Sequence, residues 1–593
     1  MTSIFGSGKS GKQEGPGGRS ASRPAALPEN ALREGNVDSM RERGTRSLKR
    51  PFLLFLAFLL LYNLTLESPL TSDCMPNMYL PFSMLKHGSI SLSFFQELYI
   101  AGRPYYLVPF REGLHSIFGI STALFALPFF LPFAFGRSIP SFLTIIYVSK
   151  LAASFYVALS AAILYVALRR ITEEKWAVLI SLAYGIATPA FCTSSQALWQ
   201  HAPSQFLLAL TAYLLVRGKE SRFFTALAGI PLGLSVLVRT TNLVFIPPLL
   251  LYVLWKRRSE AVAFLLCMLP AGAITAFYNQ VAYGAFYRFP LMAPKYLLPA
   301  SEFSKYNESG GFWQTNFFVG FFGNLISPSR GLFCISPILL LAAAGMFLLF
   351  KLRKECDADR SALLACFFLA FVAQLLLVSK KTDWTGGLSF GNRLLVDTLP
   401  FLVFLFVPLC AYFGKIQRKP TRRLLLCLAV ILFLISVFFQ LEGVFSYDRG
   451  SWDIWNQPEG SMWSIGKSQL LFYLQRPDIF IPPLVKHMSG EPVRIGSFEV
   501  DVSRGLPRLR FRLSELVFMR WYAIPPEGTK RIPLFRLYGI KGENDLLITE
   551  EDLAGIPGGH DPDYLRDLIV TSASLEVEVT EPLSDIKKTY RLR

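Results

Sequence analysis

The most constraining feature of this sequence is a series of apolar runs that approach the length of a membrane crossing. About 20 apolar helical residues cross the hydrocarbon core of a bilayer. Hydrophobic residues make up 52% of the 593 positions and charged residues only 17%, too few to cover a soluble protein of this size. The sequence therefore predicts an α-helical polytopic membrane protein. The candidate spans are 51–66, 143–168, 176–197, 201–216, 223–238, 242–255, 261–284, 331–350, 361–378, 398–414 and 422–444.

The net charge of +18 is concentrated in short basic segments between the apolar runs. Such segments are typical of cytoplasmic loops, so the charge indicates membrane topology and not nucleic-acid binding. Placing these loops and the N-terminus inside gives eleven crossings and an external C-terminus, provided that 117–135 is re-entrant or lies on the surface. If 117–135 does cross, either another crossing exists or one loop breaks the charge rule. We therefore expect about 11–13 transmembrane helices.

The composition marks a tail before the first apolar run and three longer loops between later runs. Residues 1–48 are rich in Gly, Ser, Arg and Glu without apolar periodicity, which predicts a disordered cytoplasmic tail. Residues 49–444 form the predicted transmembrane domain. Its predicted external loops are 67–142, 285–330 and 379–397.

The last quarter of the chain differs from the rest. Residues 445–489 are Trp-rich and are typical of an interfacial connector. In 490–593 apolar and polar residues alternate, which predicts a small β-rich external domain. Such a domain suits either a carbohydrate-binding module or a structural cap.

The loop 379–397 combines basic, aromatic and glycine residues. Arg393 and the lysines at 380 and 381 can hold a phosphate. Asp383 and Trp384 can meet a sugar by hydrogen bonds and by ring stacking. The alternative is an interfacial turn whose lysines reach lipid head groups.

Three further side chains lie at the predicted outer surface. Arg239 stands between two apolar runs, where the charge rule disfavours an arginine, so it either meets a buried anion or reaches head groups. His201 begins an outer helix turn and is either structural or ligand-binding. Lys295 suits a lipid-phosphate or sugar site.

Asp73 is an isolated acid in "LTSDCMPN", shortly after the first apolar run. The sequence contains no P-loop, HExxH or Gly-x-Ser-x-Gly motif and no cytosolic nucleotide domain. Because neither ATP nor a nucleotide sugar is available outside the membrane, group transfer at this loop needs a lipid-borne donor. Asp73 is either a chance surface acid or a residue placed for such chemistry.

These segments resemble the GT-C class of integral membrane glycosyltransferases, which take sugars from polyprenyl phosphate donors. The likeness covers roughly 50–480 and includes the acid-bearing first external loop. It continues in "ATPAFCTSSQALWQHAP", "GLSVLVRTTNLVFIPPLLLYV", "SPSRGLFCISPILLL" and "GGLSFGNRLLVDTLPFL". The chain is similar to a bacterial branch of this class, which implies a multi-pass protein of the bacterial inner (plasma) membrane.

The resemblance also implies roles for particular residues. An acid in the first external loop is the catalytic base of GT-C enzymes, and only Asp73 stands at that place. It would take the proton of an acceptor hydroxyl while the sugar C1 inverts in a hexosyl or pentosyl transfer. Arg239, Lys295 and Arg393 would hold the leaving phosphate.

The sequence departs from the family pattern at Cys74. Some members have paired acids in this loop, but here a cysteine follows Asp73, which puts a metal-binding role in doubt. Glu97 or Glu112, later in the same loop, would supply a second carboxylate. No cofactor is firmly implied, and a divalent metal is left as an alternative.

The expected partners are a polyprenyl-phosphate-linked sugar donor, a glycan, lipid or protein acceptor, and membrane lipids, but no nucleic acid. One alternative is a lipid or glycolipid transporter (flippase) without catalytic chemistry, which would place polar groups near the bilayer midplane and in repeated halves. Another is a ligase with a pyrophosphate-linked donor. The polar residues gather on one face and no internal repeat is evident, which favours surface chemistry.

Overall fold

The computed structural model describes only part of the chain, and most of the predicted tail lies outside that part. Helices dominate the described residues. The ranges described are 48–65, 71–95, 98, 105–136, 139–140, 142–299, 312–351, 357–447, 452, 462–475, 495–501, 508–513, 517–524, 532–539, 542–547, 569, 574–580 and 587–591. The helices are α1 (Lys49–Tyr62), α2 (Met75–His87), α3 (Ser121–Phe130), α4 (Phe142–Leu168), α5 (Glu174–Ile186), α6 (His201–Arg217), α7 (Arg222–Leu227), α8 (Gly229–Val238), α9 (Ile246–Lys256), α10 (Ala261–Tyr283), α11 (Ala293–Leu297), α12 (Phe317–Ile326), α13 (Leu332–Ile335), α14 (Leu340–Lys351), α15 (Ala358–Ser379), α16 (Leu399–Leu402), α17 (Phe406–Lys415), α18 (Lys419–Phe445) and α19 (Gln469–Leu474).

Several of these helices have the length and composition of membrane spans. Eighteen helical residues extend about 27 Å, close to the thickness of a hydrocarbon core. Only 11% of the most apolar window of α18 is buried within the protein, as expected of a helix that faces lipid. The prediction of an α-helical polytopic membrane protein is confirmed. Five described segments meet the criterion: Thr144–Leu168, Arg258–Tyr283, Ala358–Ser379, Val396–Lys415 and Lys419–Phe445.

Ion pairs connect the helix termini at one end of the bundle, which we call the paired end. One pair joins the beginnings of α1 and α5, and another joins the segments that follow α4 and α6. The remaining two join the beginning of α15 to the segments that follow α6 and α9. The basic segments between the apolar runs therefore lie together. The pairs are Arg50–Glu174, Arg170–Glu220, Lys219–Asp357 and Arg257–Asp359.

The paired end fixes the course of the chain between α1 and α4. Since α1 begins and α4 ends at the paired end, the residues between Tyr62 and Phe142 begin and end at the opposite end. This stretch contains α2, a hairpin of strands β1 (Leu107–Phe110) and β2 (Gly113–Ser116), and α3. Since α3 has only 10 residues, a rise of about 15 Å, the run 117–135 is too short in its helical part for a simple crossing.

Followed in this way, the described chain passes eleven times between the two ends. The passes are α1, α4, α5, α6, α7 with α8, α9, α10, α13 with α14, α15, α16 with α17, and α18.

The described strands of the C-terminal region form two antiparallel sheets. The first has the order β3-β4-β7 and the second β6-β5-β8-β9. Phe511 of β4 and Trp521 of β5 are both buried, with ring centroids 5.4 Å apart, so the two sheets share an apolar contact. The predicted β-rich end is confirmed. The strands are β3 (Ile495–Asp501), β4 (Arg508–Leu513), β5 (Val517–Ile524), β6 (Ile532–Gly539), β7 (Gly542–Leu547), β8 (Ser574–Thr580) and β9 (Lys587–Arg591).

Candidate functional site

A cleft with a free volume of about 170 Å³ lies at the end of the bundle opposite the paired end. Helix termini and loops that are distant in sequence converge on it. Its apolar lining includes Ile117, Phe118, Leu237, Val238, Leu377 and Leu394. Its polar lining includes Asp73, Asn77, Gln200, His201, Arg239, Lys381 and Arg393. One carboxylate and three strong cations therefore share one cleft with apolar walls.

Asp73 stands in a single 3₁₀ turn, Ser72–Cys74, that leads directly into α2. Both of its carboxylate oxygens accept hydrogen bonds. The Tyr105 hydroxyl donates to Oδ1, and Arg393 Nη1 donates to Oδ2 at 2.8 Å. The side chain is 25% exposed, so the carboxylate is compensated by a cation and still reachable from the cleft.

Arg393 lies between the carboxylate and an aromatic ring. Its guanidinium carbon is 5.2 Å from the centroid of Trp199, a cation–π arrangement. Burial alone would lower the pKa of Arg393, but Asp73 and Asp383 raise it. The side chain stays charged, as a phosphate ligand must be.

The turn that carries Arg393 is held from within by a buried arginine. Gly387 and Gly391 have φ of 65° and 63°, conformations that residues with a Cβ rarely adopt. Arg330 is 1% exposed and donates to the carbonyls of Ser389, of Gly387 at 3.1 Å and of Gly391 at 3.3 Å. Gln469 accepts from the Gly391 amide at 2.8 Å. These bonds fix the backbone two residues before Arg393.

A second charged group forms the neighbouring wall. Arg239 Nε lies 3.2 Å from Asp397 Oδ2, and His201 Nδ1 lies 3.1 Å from the same oxygen. Arg239 Nη1 is 2.8 Å from His201 Nε2. Nη1 also lies 3.0 Å from Nδ1, but a carboxylate only accepts, so a ring proton on Nδ1 that faces Asp397 leaves Nε2 to accept from Arg239. Asp397 is fully buried and so holds both side chains in place.

Lys381 belongs to the cleft through a turn that Asp383 stabilises. Lys381 Nζ is 3.2 Å from Asp383 Oδ2, and Asp383 Oδ1 accepts from Thr385 Oγ1 at 2.8 Å and from the Gly387 amide at 3.1 Å. Burial alone would raise the pKa of Asp383, but Lys381, Thr385 and Arg393 lower it to about 2. Asp383 is therefore ionised at neutral pH and anchors Lys381, without itself lining the cleft.

The structure brings five of the residues chosen from sequence together in the lining of the cleft, with Asp383 bonded to one of them. Trp384 faces away from the cleft: a Cβ at Gly323 would lie 2.3 Å from its ring, and Trp463 packs on it at 6.4 Å between centroids. Its interpretation as a sugar platform is therefore not supported by its position. The five residues that line the cleft are Asp73, His201, Arg239, Lys381 and Arg393.

Lys295 and the second-carboxylate candidates do not line the cleft. Lys295 is exposed on α11, and Lys381 supplies the third strong cation in its place. Glu112 is exposed at the tip of the β1–β2 hairpin. Glu97 lies outside the described residues.

Sequence reasoning missed Tyr105 and Arg330. Tyr105 belongs to the same loop as Asp73, yet no spacing relates the two positions. Arg330 could have been identified from the sequence, because an arginine in a predicted external loop departs from the charge rule in the same way as Arg239.

The donors of the described cleft do not form a metal site. Among the described residues no group of three or more His, Cys, Asp or Glu side chains is placed to hold a metal ion. Both oxygens of Asp73 accept hydrogen bonds, one of them from a cation, and a cation there disfavours a metal ion.

Comparison with known proteins gives a remote structural likeness. No family model and no curated protein matches the chain. ArnT from Cupriavidus metallidurans, whose crystal structure contains undecaprenyl phosphate, is similar with a TM-score of 0.39 and 13% identity. The alignment covers 67% of this chain and 69% of ArnT.

Proposed function

We propose that this protein is a membrane glycosyltransferase of the GT-C type. It would move a sugar from a polyprenyl phosphate to a hydroxyl of an external glycan, lipid or protein, with inversion at C1. The observation that carries the proposal is the meeting of one accessible carboxylate, Asp73, with three cations in a cleft that has apolar walls. The sequence resemblance to the GT-C class agrees with it.

The cations suit the phosphate of a lipid-borne donor. Arg393 and Arg239 offer planar donor groups that match phosphate oxygens, and Lys381 adds a point charge. Each of the three cations is paired with a carboxylate and also lines the cleft, where it can meet the phosphate of a donor. The apolar walls, such as Leu237 and Leu377, would accept the first isoprene units of the donor.

Asp73 is the candidate base. Its bond to Arg393 would weaken when the donor phosphate takes up that guanidinium, which frees Oδ2 to accept a proton. The acceptor oxygen then forms a bond to the sugar C1 and gives its proton to Asp73. The bond between C1 and the phosphate oxygen breaks, and its electron pair leaves with polyprenyl phosphate, where Arg393, Lys381 and Arg239 stabilise the charge.

The test uses the purified full-length protein in vesicles with polyprenyl phosphates that carry radiolabelled sugars. Wild type should release polyprenyl phosphate and label an acceptor, and Asp73→Asn should do neither while inserting and folding normally. Glu112→Gln, an acid removed from the same loop but outside the cleft, serves as control. Movement of intact sugar lipid across the bilayer by both wild type and Asp73→Asn would show a transporter, and the proposal would be wrong.

A further inference from the structure

Two side-chain amides that line the cleft are held by hydrogen bonds from their amino ends. Asn77 Nδ2 donates to the Leu198 carbonyl at 3.1 Å, and Gln200 Nε2 donates to the Phe118 carbonyl at 2.7 Å. With the amino ends held by the backbone, the carbonyl oxygens must point the other way. Both residues line the cleft.

The oxygen of Asn77 is the more telling of the two. Asn77 is 1% exposed, and its Oδ1 is buried without a hydrogen-bond partner among the described residues. A buried acceptor without a donor costs about 1–3 kcal/mol. A ligand that donates a hydrogen bond at this point would remove that cost.

The chemistry of the ligand follows from the direction of the hydrogen bond. Phosphate oxygens accept hydrogen bonds and would be repelled by a carbonyl oxygen, so the three cations and the two amides cannot recognise the same group. Carbonyl oxygens pair with hydroxyl or amino donors. A hydroxyl-bearing sugar beside the phosphate satisfies both halves of the cleft.

The position of the amides relative to the reacting groups agrees with this division. Asn77 follows Asp73 by four residues, across the junction of the 3₁₀ turn and α2, and both side chains line the cleft. Gln200 follows Trp199, over which Arg393 stacks. Both amides therefore line the cleft that holds the candidate base and the cations, where the donor's sugar ring would have to be.

We infer that Asn77 and Gln200 form a subsite that recognises hydroxyl or amino groups of the sugar on the lipid donor. The inference rests on the proposed function and deepens it. The subsite contributes to sugar affinity, whereas affinity for the lipid phosphate depends on the cations.

The experiment measures binding of two kinds of probe to the full-length protein in nanodiscs: undecaprenyl phosphate, and a panel of undecaprenyl phosphates carrying different single sugars. Wild type should bind at least one glycosylated lipid more tightly than the bare lipid. Asn77→Ala and Gln200→Ala should each reduce that advantage by roughly 5–100-fold and change affinity for the bare lipid less than twofold. Gln200 is only partly buried, so its variant tests the inference even if Asn77→Ala folds poorly.

Asn279→Ala is the matched control. Asn279 is fully buried, donates to the Phe286 carbonyl at 3.1 Å and also has a buried Oδ1 without a described partner, but it does not line the cleft. Its truncation should leave the sugar advantage unchanged. An unchanged advantage in both cleft variants, or an equal loss of affinity for bare and glycosylated lipid, would overturn the subsite. Failure of wild type to bind the bare lipid would instead overturn the proposed function on which the subsite rests.

Discussion

Two hydrogen-bonded sets at opposite ends of the bundle have nearly the same local geometry. In each, one carboxylate oxygen accepts a hydrogen bond from a tyrosine and the other accepts one from an arginine. The bond from the arginine is 2.8 Å long in the cleft and 2.7 Å long at the paired end. The four charged side chains are between 13% and 25% exposed. The cleft set is Asp73, Tyr105 and Arg393, and the paired-end set is Asp359, Tyr252 and Arg257.

The surroundings separate the two sets. Arg239 and Lys381 line the same cleft as the first set, and each is held by a carboxylate of its own. Asp359 instead lies in the first turn of α15, where a helix N-terminus stabilises an acid. Asp357, two residues earlier, is the N-cap of that helix and pairs with Lys219. The geometry of one ion pair therefore does not identify a reactive site, whereas three ion pairs whose cations line one cavity do.

Removal of the two acids should show the largest contrast. Asp73→Asn is expected to lower kcat for sugar transfer by roughly 10²–10⁴-fold, because no base remains to take the acceptor proton. Asp359→Asn should change kcat less than twofold and lower the free energy of unfolding by about 1 kcal/mol or less. Transfer rates and thermal unfolding of both variants in detergent check this. Equal losses of transfer in the two variants would remove the distinction between the sets.

Removal of the two arginines should give the next largest contrast. Arg393→Gln is expected to raise the KM for the lipid donor by roughly 10–100-fold, the equivalent of one charge-assisted hydrogen bond to phosphate. Arg257→Gln should leave that KM unchanged and affect only stability. Initial rates at varied donor concentration test the pair. A donor KM for Arg393→Gln equal to that of wild type would exclude the guanidinium as a phosphate ligand.

Much of the fold was readable from the sequence because the bilayer restricts it. Apolar length predicts the spans, and the charge rule places the basic segments together, where the ion pairs of the paired end are found. The same rule drew attention to Arg239, since an arginine between apolar runs needs a partner. That partner is Asp397.

The site was only partly readable, because a single sequence does not say which way a loop residue faces. Asp73 and Arg393 are 320 positions apart, and no periodicity links them. Lys295 and Trp384 had suitable chemistry but do not line the cleft. Lys381 was grouped with Arg393 as a phosphate ligand, but only the turn around Asp383 shows that it reaches the cleft.

Each end of the bundle also has a lysine–aspartate pair, Lys381–Asp383 at the cleft and Lys219–Asp357 at the paired end, and the two should respond differently to pH. Burial lowers the pKa of Lys381 and Asp383 opposes that shift, so Lys381 loses its charge at a lower pH than an ordinary lysine. Since the charged form holds the phosphate, donor KM should rise severalfold as pH increases towards the ordinary lysine value of about 10.5. Lys381→Arg should remove the alkaline rise, and Lys219→Arg at the paired end should not. An alkaline rise that persists in Lys381→Arg would assign it to another group.

The two tyrosines should give the smallest and most specific contrast. Tyr105 donates to the Asp73 oxygen that Arg393 leaves free, so it orients the carboxylate without touching the phosphate ligands. Tyr105→Phe should therefore lower kcat by roughly 2–10-fold, the equivalent of one neutral-donor hydrogen bond, and leave the donor KM unchanged. Tyr252→Phe removes the corresponding bond to Asp359 and should change neither constant. If Tyr105→Phe raised the donor KM and left kcat intact, the tyrosine would act on donor binding, and the cleft set would orient a phosphate ligand instead of a base.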